Sequence, residues 1–142
     1  MKRLKFILVI FLLSLFFYNT VHAKNNYFAD GEKFYNEQKF TKSKFQFEKD
    51  IVFNPKNEKS YLYLAKIFKE KKNDIMEEQN LETVILLNPQ NEEALYLLAL
   101  FKIKKSDFKE SEALIATFNK VCKKLCNKEL ELKNKLKNLQ PE

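Results

Sequence analysis

The chain has 142 residues, 26 basic and 19 acidic, with a formal charge of +7, one His, one Gly and two Cys. That length holds one small domain and not two ordinary ones. His22 and Gly31 are the single His and Gly, which excludes imidazole chemistry beyond residue 22 and any glycine-rich phosphate loop.

Residues 1–23 have the three parts of a secretory signal peptide. MKRLK is a short basic start, Phe6 to Tyr18 is apolar apart from Ser14, and Val21 and Ala23 place small residues two apart at the end. The apolar run is shorter than the ~18 residues a membrane-spanning helix needs. Export to a periplasm or the exterior is therefore expected, with an uncleaved inner-membrane anchor as the alternative. No lipobox cysteine follows the run, so no lipid anchor is expected. Lys and Glu are mixed along the remainder, which points to solvated helix faces rather than to a nucleic-acid or anionic-membrane partner.

From residue 24 onward the chain repeats itself. Residues 54–65 read NPKNEKSYLYLA and residues 88–99 read NPQNEEALYLLA, an offset of 34. At that offset Tyr27 falls on Tyr61 and Leu95, Gly31 on Ala65 and Ala99, Phe34 on Phe68, and Phe47 on Leu81 and Ile115. Three units follow, about 24–57, 58–91 and 92–125. Within the second, Tyr61, Leu64, Ala65 and Phe68 are spaced i, i+3, i+4, i+7 and share one face of a helix. The small residues at 31, 65 and 99 stand where two helices of a unit cross, letting the backbones approach to ~8–10 Å. Asn-Pro ends the second helix of a unit, and Asn57 and Asn91 are suited to cap the next one.

Period and pattern together resemble the tetratricopeptide repeat, a helix–turn–helix unit of 34 residues. The resemblance implies an all-α solenoid of about three units. Some positions depart from it: Asp30 replaces an expected Leu, Asp50 and Glu77 stand where small apolar residues usually pack, Asp74 replaces an aromatic, and Lys123 stands where a third proline would be.

Beyond Phe108 an apolar stripe runs through Ser111, Ile115, Phe118, Cys122, Leu125, Glu129, Leu132, Leu136 and Leu139 in steps of three and four. Two structures satisfy it. One is a single long helix free to pair as a coiled coil; the other is a turn near Cys122–Asn127 with 126–142 folding back as a capping helix and tail. In an exported protein Cys122 and Cys126 are expected to be oxidised. Their Cβ atoms on an intact helix would lie ~5–6 Å apart, beyond disulfide range, so a bond requires the turn.

The sequence reads as that of a non-enzyme, with no catalytic, cofactor or metal residue expected. The resemblance implies that the first helix of each unit lines a concave groove for a protein or peptide partner. The matching positions are Phe28, Glu32 and Tyr35, then Leu62, Lys66 and Lys69, then Tyr96, Leu100 and Ile103. Repeat proteins of this kind that clamp a terminal carboxylate use Lys and Asn in the first groove, where this chain has Phe28 and Glu32. The last three positions would instead be core if the final helix covers them. The expectation is thus an exported adaptor acting in the cell envelope, with a homodimer through residues 108–139 as the alternative.

Overall fold

The computed structural model describes residues 26–139. The leader read over 1–23 lies outside the described residues, as do the last three of the tail. Among the described residues seven α-helices follow one another: α1 (Tyr27–Asn36), α2 (Phe40–Phe53), α3 (Glu58–Glu70), α4 (Asp74–Leu87), α5 (Glu92–Lys104), α6 (Phe108–Val121) and α7 (Glu129–Leu139). A single 3-10 turn, Cys126–Lys128, precedes α7. Helices α1 and α2, α3 and α4, and α5 and α6 pack as hairpins, and α2 on α3 and α4 on α5 join them.

Every hairpin is closed by the same tight turn. The first helix ends with its successor residues donating back to two of its last carbonyls: Lys39 N to Phe34 O and Gln38 N to Tyr35 O in the first unit. Asn73 N to Phe68 O and Lys72 N to Lys69 O repeat this in the second, and Asp107 N to Lys102 O and Ser106 N to Ile103 O in the third. This is the Schellman cap, which places one residue in left-handed geometry. Gln38, Lys72 and Ser106 occupy it at φ of 57°, 54° and 61°. Glycine usually fills that position, so the sequence carries no sign of the turn. Asn73 and Asp107 then cap α4 and α6, accepting from Met76 N at 3.2 Å and Glu110 N at 3.1 Å.

Hairpin packing depends on the small residues. Gly31 is buried, and a Cβ added there would stand 2.7 Å from the ring of Phe47. Ser43 Oγ donates to Gly31 O at 2.9 Å, tying the same crossing. Ala65 and Ala99 are equally enclosed and share their core clusters with Leu81 and Ile115.

The acid at position 50 is supplied with donors. Asp50, at the junction of units one and two, accepts from Ser60 Oγ at 2.5 Å, Asn57 Nδ2 at 2.6 Å and Asn54 Nδ2 at 2.9 Å. Asn91 caps α5 as expected, accepting from Ala94 N at 3.0 Å. Asn57 occupies the cap position of α3 without bonding it, because its amide is drawn to the buried Asp50 carboxylate instead. At the next junction Val84 and Ala94 replace Asp50 and Ser60, and no such cluster is needed. The polar start of α4 also finds partners: Asn80 Nδ2 donates to Met76 O at 2.7 Å, and Glu78 pairs with the buried Lys102 at 2.5 Å. Lys102 also reaches Glu110 at 2.7 Å, pinning α4, α5 and α6 together.

The chain turns after α6. Cys122 and Cys126 are disulfide-bonded with Cα atoms 5.2 Å apart, and α7 folds back on α5 and α6. Glu92, at the start of α5, holds the turn by accepting the backbone N–H groups of Lys123 at 2.8 Å and of Lys124 and Leu125 at 3.0 Å. Those bonds lower the Glu92 pKa, opposed only by partial desolvation. Ile115, Phe118 and Leu132 of the stripe are buried within the chain. The alternative homodimer through residues 108–139 would have to use what these contacts leave exposed, such as Leu139.

Two outcomes follow. Gly31→Ala gains about 1 kcal/mol of helix propensity, but overpacking against Phe47 costs about 1–3 kcal/mol, so the denaturant midpoint falls; in a Phe47→Leu background the same change becomes neutral or stabilising. Ser106→Gly relieves left-handed strain and raises stability by roughly 1 kcal/mol, read as a higher thermal midpoint with unchanged circular dichroism.

Candidate functional site

Helices α1, α3 and α5 supply the expected groove residues, and the structure divides them. Phe28 and Tyr35 are half-buried against Tyr63, with ring centroids 6.0 and 5.0 Å away. Tyr63 itself stacks on Phe47 at 4.8 Å and donates to Glu32 Oε1 at 3.0 Å. Burial first, and the Glu32 carboxylate second, push the Tyr63 hydroxyl up to about 12. Lys66 lies 5.1 Å over the Tyr63 ring and pairs with Glu93 at 2.7 Å. A ladder of Glu32, Tyr63, Lys66 and Glu93 therefore links α1, α3 and α5. The expected set omits Tyr63 and Glu93.

Leu62 and Ile103 are corrections. They are 7% and 3% exposed and sit within core clusters, because α4 covers the former and the C-terminal elements cover the latter. Tyr96 is also engaged: its hydroxyl donates to Glu131 Oε1 of α7 at 3.0 Å, and its ring leans on Phe118 at 6.3 Å. Burial, then Glu131, raise its pKa to about 12. Leu100 packs against the same cluster from its edge. At the third unit α7 covers this face.

What α7 leaves open is a cleft of about 470 Å³ bounded by α3, α4, α5 and α7. Leu97, Leu100 and Phe101 form its floor and Leu139 closes one side. Lys69, Lys72, Lys104 and Lys135 stand around it. Asp74 holds Lys104 at 3.0 Å, and Lys135 approaches Glu131 at 3.7 Å. Lys69 and Lys72 form no ion pair among the described residues. Two of the expected residues, Lys69 and Leu100, belong to this cleft. The others that shape it share no single helix face: Lys72 is in a turn, Leu139 is in the cap, and Glu77 is on a second helix.

Glu77 is the one acid lining the cleft, and it is 6% exposed. Burial raises its pKa, while Lys69 and Lys104 pull the other way without cancelling it. The arrangement suits an incoming group that is apolar at its tip and anionic beside it, since the floor removes apolar surface from water and the rim attracts negative charge.

No family model and no curated protein matches the sequence. Among solved structures, the crystal structure of the Sgt2 TPR domain from Aspergillus fumigatus is similar, with a TM-score of 0.67 over 83% of this chain and 84% of that chain. The chain has the tetratricopeptide-repeat fold. Sequence identity to that domain is 13%, so the likeness lies in the helical array. The tetratricopeptide-repeat array here is followed by α7, whose position against α5 and α6 creates the cleft.

The raised pKa of Glu77 has a sign that can be checked. A carboxyl whose folded pKa exceeds its unfolded value, about 4.3, binds its proton more tightly in the native state. Its ionisation destabilises the fold as pH rises through that folded pKa. Glu77→Gln removes the penalty, so the thermal midpoint should rise near neutral pH and match the parent chain below about pH 4.

Proposed function

We propose that this chain is an interaction adaptor that acts after export in the cell envelope and binds a segment of another protein across the face of α1, α3, α5 and α7. The reading assigns it no catalysis. One observation carries it: an apolar floor of Leu97, Leu100 and Phe101 remains open beside two lysines, Lys69 and Lys72, that form no ion pair among the described residues. A solvent-open apolar recess rimmed by charge is the usual form of an anchor pocket. The preferred segment presents one aliphatic or aromatic side chain next to an acidic group, and the ladder of Glu32, Tyr63, Lys66 and Glu93 borders its path toward α1.

The test is crosslinking in cells from a photoreactive residue at position 69, followed by identification of the captured protein and titration of the captured segment in vitro. Lys69→Glu combined with Lys72→Glu should weaken the segment roughly tenfold or more through like-charge repulsion. Leu97→Gln should weaken it comparably, and Lys120→Glu on the far side should leave it unchanged. Capture of nothing from position 69, or equal affinity for all four proteins, rules the cleft out.

A further inference from the structure

The two edges of the array differ. One carries the three hairpin turns. At the other, α1 begins, α2, α4 and α6 end, and α3, α5 and α7 start. This second edge, the loop edge, exposes large apolar side chains at equivalent places in successive units. Val52 is 74% and Leu86 81% exposed, and Phe53 and Leu87 beside them repeat the pair at the same 34-residue offset. In the third unit Lys120 and Val121 take these two places, and Leu130 at the start of α7 is 66% exposed on the same edge. None of these residues contributes to the three core clusters, and side chains of this size repeated on one edge mark a contact surface.

The same edge carries lysines that form no ion pair among the described residues. Lys56, Lys59, Lys120, Lys123 and Lys124 are exposed there. The nearby acids bond other groups: Glu58 accepts from Asn88 Nδ2 at 3.5 Å, Glu92 from three backbone N–H groups, and Glu93 and Glu129 pair with Lys66 and with Lys133 at 2.5 Å. The chain also enters the domain at this edge. Asn26 and α1 follow closely on the apolar run Phe6–Tyr18, and Tyr27 stacks on Phe53 at 5.5 Å. Where the apolar run is retained as an anchor, the chain leads from it to the loop edge first.

We infer that the loop edge is a peripheral docking surface for an anionic lipid bilayer. Val52, Phe53, Leu86 and Leu130 reach the headgroup and acyl boundary, and the unpaired lysines meet the lipid phosphates. Among the described residues no helix is long and apolar enough to cross a membrane, so the contact is superficial. The cleft between α3, α5 and α7 lies toward the hairpin edge, where Lys72 sits in its turn, and stays clear of the lipid.

The experiment uses the full chain on vesicles, so that the apolar run keeps every sample membrane-associated. Gln90→Cys at the loop edge and Asn36→Cys at the hairpin edge each introduce one free thiol for a maleimide fluorophore, because Cys122 and Cys126 are bonded to each other. On vesicles of phosphatidylglycerol and phosphatidylcholine carrying a headgroup nitroxide, the probe at 90 is quenched and the probe at 36 is not. Pure phosphatidylcholine vesicles lose the quenching, as does raising salt until the Debye length falls from ~10 Å to ~3 Å. Val52→Gln with Leu86→Gln loses it too, with circular dichroism unchanged. Equal quenching of both probes, or quenching that survives the double substitution, overturns the proposal. A probe response at 90 that depends on protein concentration without lipid also overturns it and assigns the edge to a second copy of the chain.

Discussion

The fold rests on a size match repeated three times at one helix crossing. Where α1 meets α2 the pair is Gly31 and Phe47; the equivalents are Ala65 with Leu81 and Ala99 with Ile115. The largest ring faces the residue with no side chain, and the smaller aliphatics face Ala. Interiors are packed near crystal density, so volume added on one side of such a crossing must be removed from the other. This spacing sets how close the helices of each hairpin lie, and therefore whether the next hairpin can stack on it. Everything on the face of α1, α3, α5 and α7 inherits its geometry from that contact.

Two polar residues of this core, Asp50 and Lys102, come with their partners. Asp50 comes with Asn54, Asn57 and Ser60, all of which donate to it. At the corresponding junction one unit later Val84 and Ala94 remove the acid and the hydroxyl, and Asn88 and Asn91 turn instead to Glu58 and to the backbone of Ala94. A buried carboxylate without donors would cost several kcal/mol, and a half-filled set would be worse than either solution. Lys102 follows the same rule from the opposite charge: burial disfavours its ammonium, yet hydrogen bonds to Glu110 and Glu78 outweigh that and raise its pKa. Three helices are thereby joined at one side chain.

The C-terminal turn converts a repeat array into a shaped site. Glu92 holds the backbone of residues 123–125, and the Cys122–Cys126 bond shortens the turn. The two direct α7 back along α5. Its burial of Leu132 and its bond from Tyr96 to Glu131 close one end of the face. Its last turn, with Lys135 and Leu139, forms a wall of the cleft. One helix thus ends the solenoid and completes the recess, which is why the third unit differs so much from the first.

The sequence by itself determined the period, the number of hairpins, the small residues at their crossings and the Asn-Pro stops, because each is a local rule written in residue type and spacing. It also presented a choice at the C-terminus, to be settled by whether two cysteines four apart could bond. Only the tertiary structure decided that Leu62 and Ile103 are core, that Asn57 serves Asp50 instead of its own helix, and that Lys72, Leu139 and Glu77 share a cleft with Leu97. Those facts depend on which face of one helix another helix covers, and side chains distant in sequence meet only when the stack is assembled. The hairpin turns were illegible for a different reason: Gln38, Lys72 and Ser106 take a left-handed conformation that their side chains do not advertise, held there by two backbone hydrogen bonds in each turn.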